Sequence, residues 1–368
     1  ITKTMKIITI VGARPQFIKA AMVSKAIIDF NKDKGYNAIE ELILHTGQHY
    51  DENMSHIFFD QLSIPLPKWK LDGKDKTIEQ LCEMIYPIIN KEKPDYVLLY
   101  GDTNTTLAGA LSAERANIKI IHIEAGLRSF NLAMPEEHNR IETDKRSTLL
   151  FCPTSTAVKH LQNEGITQNV YQIGDVMYDA ALYFAKISKT ESSILTSLNL
   201  TPKHFNLATI HRAENTNNIE RLKEIILAFN QIATKDKPII LPLHPRTKKV
   251  IENDDCLKQL IQKNTNIVII EPISFIDMIA LETSAYKILT DSGGIQKEAY
   301  FHKTPCITLR DETEWVETIT NGWNQLSGCN HKEIIKCYNT NPTTTPISEY
   351  GDGNASNKII DMIWQKKF

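Results

Sequence analysis

Short apolar runs alternate with segments of helical spacing along almost the whole chain. Runs of strand type lie in the first half at 5–11, 41–46, 96–100, 118–124, 149–153 and 169–174. A second series lies at 205–211, 238–244, 266–272, 286–291 and 305–310. Segments with helical spacing separate them, for example 18–30, 78–91, 104–116, 218–233 and 293–302. Continuous apolar strands separated by helices predict an α/β protein whose parallel sheets are covered on both faces.

The strand series restarts after a less regular, Ser/Thr-rich stretch at 188–204, which predicts two doubly wound, Rossmann-like domains. We place the N-terminal domain at 1–172 and the C-terminal domain at 173–352. The final segment, 353–368, has helical spacing and follows a connector rich in Thr, Pro and Gly. We expect its helix to pack back on the N-terminal domain.

Composition and charge narrow the possible partners. The chain of 368 residues is 42% apolar with a net charge of −2, so it lacks the positive charge that binds nucleic acid or an anionic membrane. No apolar run is as long as a membrane span, and the N-terminus does not read as a signal peptide. The six cysteines include no CxxC pair, and several lie in apolar runs. These features predict a cytoplasmic protein with reduced cysteines.

One segment, 290–299 with the sequence TDSGGIQKEA, is typical of a phosphate-binding turn between a strand and a helix. Gly293 and Gly294 leave bare backbone amides at a helix N-terminus, where the helix dipole favours an anion. Glu298 follows one helical turn later, where a carboxylate could accept hydrogen bonds from a ribose diol. The alternative interpretation is that the two glycines only close a tight turn.

Polar candidates collect just after the predicted strands, at the edge where open α/β sheets bind ligands. The first half contributes Arg14, His45, Gln48, His49, Asp102 and Glu124, and the second half His211, Arg212, His244, Arg246, Asp291, Ser292 and Arg310. Glu136 lies in a loop-to-helix segment soon after Glu124. Each has a structural alternative: Asp102 could be a helix N-cap, and His45 a hydrogen-bonded core histidine. Their convergence on one edge of each sheet favours a cleft between two facing domains.

The charges and the missing motifs limit the chemistry. Histidines and arginines of the second half suit a diphosphate, whereas Asp102, Glu124 and Glu136 suit proton transfer at a neutral sugar. Carboxylates grouped in a closed cleft would raise at least one pKa. The first strand is followed by GARPQ instead of GxGxxG, and no GxxxxGK[ST] loop or metal-ligand spacing is present. We therefore expect neither an NAD cofactor nor a metal.

From about Lys6 onward the chain resembles the non-hydrolysing UDP-N-acetylglucosamine 2-epimerases. The resemblance rests on ordered motifs: GARPQFIK (12–19), HTGQH (45–49), GDTNTT (101–106), HIEAGLRSFN (122–131), MPEEHNR (134–140), ATIHRAEN (208–215), LPLHPRT (241–247), LTDSGGIQKEA (289–299) and LRDETEWVE (309–317). It implies two Rossmann-like domains of the GT-B type, a homodimer, no cofactor, and a UDP-sugar bound between the domains.

The resemblance also implies roles for particular residues. Ser292, Gly293 and Gly294 would hold the diphosphate and Glu298 the ribose. Other UDP contacts would come from Arg14, Lys19, His211, Arg212, His244 and Arg310. Asp102, Glu124 and Glu136 match the carboxylates at the sugar, and His211 is counted with them as catalytic. His45, Gln48 and His49 lie where many relatives bind a second UDP-sugar as an activator.

Several departures from the commonest family pattern concern the substrate. Gln16 stands where that pattern has Glu, and Trp315 stands where it has Arg. These variants resemble the branch that epimerises UDP-2,3-diacetamido-2,3-dideoxyglucuronate. The extra carboxylate of that sugar needs a cation, for which Arg128 is a candidate, although it could equally be a solvated surface arginine.

The C2 hydrogen of such a sugar is not next to a carbonyl, so we expect elimination of UDP to a 2-acetamidoglycal, followed by re-addition. The product would serve the synthesis of surface polysaccharide precursors. Two alternatives stay open. A glycosyltransferase of the same architecture would need an acceptor groove and fewer carboxylates. A catalytically silent sensor of nucleotide sugars would be expected to have lost one of the three acids.

Overall fold

The computed structural model describes residues 4–48 and 65–366, with the Arg14 side chain excepted. It divides into two compact units, which we call the N-terminal unit (Ile1–Ala180 with Ser348–Phe368) and the C-terminal unit (Ala181–Ile347). Each unit contains one parallel β-sheet.

Seven strands form the sheet of the N-terminal unit within the described residues, in the spatial order β3-β2-β1-β4-β5-β6-β7. The strands are β1 (Met5–Val11), β2 (Ile39–His45), β3 (Trp69–Lys70), β4 (Tyr96–Tyr100), β5 (Lys119–Ile123), β6 (Leu149–Cys152) and β7 (Val170–Gln172). The helices between and after them are α1 (Arg14–Lys34), α2 (Ile78–Glu92), α3 (Asn104–Arg115), α4 (Pro135–Arg146), α5 (Ser155–Asn163) and α6 (Val176–Glu191). The strand order reverses direction between β1 and β4, which makes their carboxyl ends the switch point where doubly wound sheets bind ligands.

The C-terminal unit repeats this arrangement, with the described strands in the order β10-β9-β8-β11-β12-β13. They are β8 (Asn206–Thr209), β9 (Ile239–Pro242), β10 (Ile267–Ile270), β11 (Ile288–Thr290), β12 (Cys306–Thr308) and β13 (Asn324–Leu326). The helices are α7 (Ile194–Ser197), α8 (Ala213–Thr216), α9 (Ile219–Ile232), α10 (Pro245–Glu252), α11 (Asp255–Gln262), α12 (Phe275–Ser284), α13 (Gly293–Phe301), α14 (Val316–Thr320) and α15 (His331–Asn339). Here the switch point lies between β8 and β11.

Both faces of this second sheet are buried, which explains why its strands are continuously apolar. Leu207 and Ile288 enter one core cluster, whereas their chain neighbours Ala208 and Leu289 enter another. Successive side chains of a strand point to opposite faces, so the two clusters lie on opposite sides of the sheet. Full burial of such an aliphatic side chain stabilises the fold by about 1.5–3 kcal/mol.

The last helix, α16 (Ala355–Gln365), belongs to the N-terminal unit. The Trp364 ring lies against Phe30 of α1 with 5.5 Å between ring centroids. At the start of α16, the Asp179 carboxylate of α6 accepts hydrogen bonds from the backbone N–H groups of Ala355 (3.0 Å) and Ser356 (2.6 Å). Asp179 thereby satisfies amides that the helix itself leaves without acceptors.

The predicted α/β class, with two parallel-sheet domains and a returning C-terminal helix, is confirmed. All of the predicted strands are present, with ends shifted by up to two residues. The two that the sequence did not predict, β3 and β13, are only two and three residues long, too short for a periodic pattern. Among the described residues, no helix is long and apolar enough to cross a membrane.

Candidate active site

Three carboxylates lie near the switch point of the N-terminal sheet. Asp102 follows β4, Glu124 follows the neighbouring strand β5, and Glu136 lies in the first turn of α4. Asp102 is not the N-cap of α3, because that position is Thr103, whose Oγ1 accepts a hydrogen bond from Thr106 N at 3.3 Å. The structural alternative for Asp102 is therefore wrong.

Two of these carboxylates form ion pairs with cations of the same unit. Asp102 pairs with Arg140 of α4, and Glu124 pairs with Lys19 of α1. Arg140 also reaches Glu137 at 3.1 Å, so its guanidinium links two acidic side chains. The sequence placed Lys19 with the UDP contacts and assigned no role to Arg140. A signal for Arg140 was available, since it follows Glu136 by one helical turn.

The electrostatics of Asp102 favour a group that exchanges protons. Burial raises its pKa, and the negative charges of Glu124 and Glu136 raise it further. Arg140 and Lys19 act in the opposite direction, but the pKa remains above that of an ordinary aspartate. A carboxyl group with a raised pKa is better matched to acid–base work near neutral pH.

Glu136 and its neighbour Glu137 have different surroundings. Glu136 is exposed at the beginning of α4, whereas Glu137 is buried. The Glu137 carboxylate accepts hydrogen bonds from the backbone amides of Ser129 and Phe130, each at 2.9 Å. Glu137 thus holds the loop that connects β5 to α4, whereas Glu136 is exposed to solvent.

The residues predicted for a second UDP-sugar make local contacts that shape the turn after β2. Gln48 Oε1 accepts hydrogen bonds from the Thr105 amide (3.0 Å) and hydroxyl (2.7 Å), and His45 Nδ1 accepts one from Gly47 N (2.7 Å). Burial lowers the pKa of His45 to about 4, so its ring is neutral at physiological pH. His49 lies outside the described residues. The activator site stays a prediction.

Gln16 joins the loops that follow β1 and β4. Its Oε1 accepts hydrogen bonds from the amides of Gly12 (2.8 Å) and Ala13 (3.1 Å), and its Nε2 donates to the Tyr100 carbonyl (2.8 Å). Both the acceptor and the donor of the amide are used, which a carboxylate could not reproduce while ionised. The side chain of Arg14, two residues earlier, is outside the described part of the chain.

Arg128 is not a free cation for a substrate carboxylate, so that prediction is wrong. The side chain is buried, and its Nε and Nη2 donate to the two oxygens of Glu164 at 2.6 and 2.7 Å. Its Nη1 donates to Asp144 Oδ2 at 2.8 Å. The guanidinium is held between two carboxylates of its own unit, and neither the surface role nor the binding role applies.

The predicted glycine turn starts α13 in the C-terminal unit. Ser292 is the N-cap residue, and its Oγ accepts a hydrogen bond from Ile295 N at 3.4 Å. Gly294 is exposed, and a Cβ built on it would have no atom closer than Ser292 Oγ at 3.9 Å. Gly293 is partly exposed, and Glu298 is partly buried one turn later. The helix N-terminus is therefore open at Gly294.

Asp291 organises the neighbouring histidine loop. This buried carboxylate accepts hydrogen bonds from the amides of His211 (3.0 Å) and Arg212 (2.7 Å) and from Asn215 Nδ2 (3.1 Å). Burial raises its pKa, but the side chain of His211, with Nδ1 at 3.1 Å from Oδ1, and the amides of Arg212 and His211 outweigh burial and lower it overall. The His211 ring lies 6.0 Å from that of His244, whose pKa burial lowers. The sequence placed Asp291 at this edge but assigned it no role.

Arg310 lies near Gly293 of the glycine turn, together with Glu314, to which the sequence assigned no role. Its Nη1 pairs with Glu314 Oε2 at 3.0 Å, and its buried Nε has no hydrogen-bond partner among the described residues. A Cβ on Gly293 would lie 2.4 Å from Glu314 Oε1 and 3.8 Å from Arg310 Nη1. Trp315 is buried, and Lys297 Nζ lies 4.0 Å from its ring centroid. A side chain at position 293 would therefore displace the Glu314 carboxylate from its place beside Arg310.

Within the described ranges, no group of three His, Cys, Asp or Glu side chains is arranged to hold a metal ion. The six cysteines are all unpaired. Cys152 and Cys306 are buried as expected, but Cys256 is exposed.

The fold and these two sites define an α/β protein with two Rossmann-like units, each with polar side chains at its switch point. The family model described as UDP-N-acetylglucosamine 2-epimerase matches residues 32–364. A protein of Methanococcus maripaludis described as a UDP-N-acetylglucosamine 2-epimerase homolog is 50% identical over 366 residues, covering 98% of this chain and 99% of that protein. The UDP-2,3-diacetamido-2,3-dideoxy-D-glucuronate 2-epimerase of Pseudomonas aeruginosa is 46% identical over 369 residues, with 98% and 99% covered.

A solved structure is similar to this chain in both fold and sequence. The UDP-GlcNAc 2-epimerase of Methanocaldococcus jannaschii, in complex with UDP-GlcNAc and UDP, matches with a TM-score of 0.85 and 40% identity, covering 98% of this chain and 99% of that one. The chain belongs to the UDP-N-acetylglucosamine 2-epimerase family. The predicted family and the predicted enzyme class, an isomerase, are confirmed.

Proposed function

We propose that the protein inverts C2 of a UDP-linked N-acetylated sugar. The substrate is UDP-N-acetylglucosamine, converted to UDP-N-acetylmannosamine, or UDP-2,3-diacetamido-2,3-dideoxyglucuronate, converted to its manno form. The product is used for surface polysaccharide precursors. Relatives of both kinds support this function, at 46% identity for the diacetamido enzyme and 41% for a UDP-N-acetylglucosamine 2-epimerase.

In this proposal the C-terminal unit binds UDP. The open N-terminus of α13 at Gly294 receives the diphosphate, because backbone amides and the helix dipole favour an anion there. Arg310 Nε supplies a buried donor, and His211 and His244 contact the same group. Glu298 accepts hydrogen bonds from the ribose. The stabilisation of departed UDP is the electrostatic part of catalysis.

The carboxylates of the N-terminal unit carry out the proton transfers. One of them removes the C2 proton while the C1–O bond to UDP breaks, and the electron pair left at C2 forms the C1=C2 bond of a 2-acetamidoglycal. UDP then re-adds to C1, and a second acid protonates C2 from the opposite face. The observation that carries this mechanism is the grouping of Asp102 and Glu124, each with its own cation, with a raised pKa at Asp102.

Proton NMR in D2O tests the mechanism. The epimer formed should carry deuterium at C2, and an epimer that retained its original hydrogen would exclude elimination. Asp102→Asn and Glu124→Gln should each lower turnover by about two orders of magnitude or more, the scale of a lost general acid or base. UDP affinity should stay unchanged in both.

Glu142→Gln serves as the control, because Glu142 lies on the same helix as Glu136 but pairs only with Lys145 and Arg146 in the contacts described. Normal turnover in both Asp102→Asn and Glu124→Gln would show that other groups carry the protons.

Comparison of kcat/KM for UDP-N-acetylglucosamine and for UDP-2,3-diacetamido-2,3-dideoxyglucuronate decides which of the two is the preferred substrate. We propose that the diacetamido uronate is used more efficiently, without an activator. A preference for UDP-N-acetylglucosamine with sigmoidal kinetics would assign the protein to the other branch. We further propose a cytoplasmic homodimer, which sedimentation analysis of the full chain would test.

A further inference from the structure

A buried network of charged side chains lies behind the carboxylates of the N-terminal unit. At its centre is Asp144 of α4, whose side chain is fully buried. Its Oδ1 lies 2.6 Å from His122 Nδ1, and its Oδ2 accepts hydrogen bonds from Arg128 Nη1 (2.8 Å) and Gly126 N (3.1 Å). Burial opposes ionisation, but His122 and Arg128 hold the pKa of Asp144 below its usual value.

His122 connects this carboxylate to the loop that carries Asp102. The second ring nitrogen, Nε2, lies 2.8 Å from the carbonyl oxygen of Gly101. A carbonyl oxygen and an ionised carboxylate can only accept hydrogen bonds. Each ring nitrogen of His122 therefore faces an acceptor, so the ring bridges Asp144 of α4 and the carbonyl of Gly101.

The network meets all three segments that carry the acids. Gly101 directly precedes Asp102, Gly126 lies two residues after Glu124, and Asp144 shares α4 with Glu136. The backbone is left-handed at two positions in these segments, with φ of +63° at Gly101 and +72° at Glu124. A non-glycine residue in this conformation is strained and persists only where its surroundings impose it. The Glu124 amide donates to the Phe151 carbonyl at 3.1 Å, and Asp144 fixes the chain two residues later through the amide of Gly126.

We propose that His122 and Asp144 are positioning residues that set the relative placement of Asp102 and Glu124. Buried ion pairs are often no more stabilising than an apolar replacement, so stability alone is a weak reason for this network. A displacement of catalytic groups by about 1 Å can cost about 100-fold in rate. The inference rests on the proposed function, because it concerns the acids that would act on the sugar.

Two substitutions of His122 separate its two contacts. The amide nitrogen of Gln can replace Nε2 and keep the hydrogen bond to Gly101, whereas that of Asn can replace Nδ1 and keep the contact with Asp144. We expect His122→Asn to lower kcat by about 100-fold and His122→Gln by less than about 10-fold. KM and UDP affinity should change little in either, and both should lose similar stability.

Asp179→Asn is the matched control, because Asp179 is a buried carboxylate of the same unit that contacts α16 instead of the acids. It should lose stability and keep its kcat. Equal losses of kcat in the two His122 variants, or near-normal kcat in His122→Asn, would overturn the inference.

A measurement on the wild type covers the case in which the variants do not fold. Nitrogen NMR of protein labelled at histidine should show a buried ring whose Nε2 carries a slowly exchanging proton, as the hydrogen bond to the Gly101 carbonyl requires, whereas absence of that proton would refute the inference. Absence of turnover by the wild type would refute the proposed function instead, and the NMR signal would still decide whether His122 donates to the Gly101 carbonyl.

Discussion

Gly294→Ala should make the protein more stable and weaken its binding of UDP. The new Cβ meets no atom within 3.9 Å, so the fold accommodates it. Replacement of Gly by Ala at a compatible position stabilises by about 0.4–1 kcal/mol, because the unfolded chain loses conformational freedom. The same Cβ would stand where a phosphate approaches the helix amides. Loss of one charge-assisted hydrogen bond costs about 1.5–3 kcal/mol, which corresponds to about 10- to 100-fold in Kd.

Calorimetry with UDP alone and urea unfolding give the two measurements, and the neighbouring glycine provides the contrast. In Gly293→Ala the Cβ would lie 2.4 Å from Glu314 Oε1 and would push that carboxylate away from Arg310. This variant should therefore be less stable than the wild type. A Gly294→Ala protein with higher stability and unchanged UDP affinity would show that Gly294 serves only the turn.

Two further predictions concern stability in the N-terminal unit. Asp179→Ala should lower the free energy of unfolding, measured in urea, by about 1–2 kcal/mol, because two amides at the start of α16 lose their acceptor. An unchanged free energy of unfolding would mean that solvent replaces Asp179 as the acceptor. Burial raises the pKa of Glu41, which accepts a hydrogen bond from Thr9 at 2.6 Å. The stabilisation that Glu41 contributes is therefore fully present at pH values below its unfolded-state pKa. This stabilisation is lost as the pH rises through the folded-state pKa of Glu41. Glu41→Gln should gain stability relative to the wild type as the pH rises above the unfolded-state pKa of Glu41, and equal slopes for the two proteins in that range would contradict the assignment.

The fold could be predicted because its signal is local. The strands β1 and β4 coincide with apolar runs that end at polar residues, and periodic helices separate them. Burial of both sheet faces imposes that pattern on each strand separately. The edge strands β3 and β13 lack this pattern because they contain only two and three residues.

The sequence could predict where the site residues lie along the chain, but not which side chains they contact. The acids appear at strand ends in the sequence, but their partners come from distant segments, such as Lys19 for Glu124. Arg128 illustrates the limit, because its carboxylates lie 16 and 36 residues along the chain at Asp144 and Glu164. Such pairings depend on tertiary packing, and no local pattern distinguishes a buried arginine of this kind from an exposed one.

The discontinuous N-terminal unit has a consequence for synthesis on the ribosome. This unit is interrupted after Ala180 and resumes at Ser348, so the cover that α16 provides for Phe30 arrives late. At about 5–20 residues per second, the intervening segment takes roughly 10–30 s to translate. Throughout that interval the surface of α1 around Phe30 lacks the cover of Trp364. The C-terminal unit is continuous from Ala181 to Ile347 and, although second in sequence, is the first that can be complete.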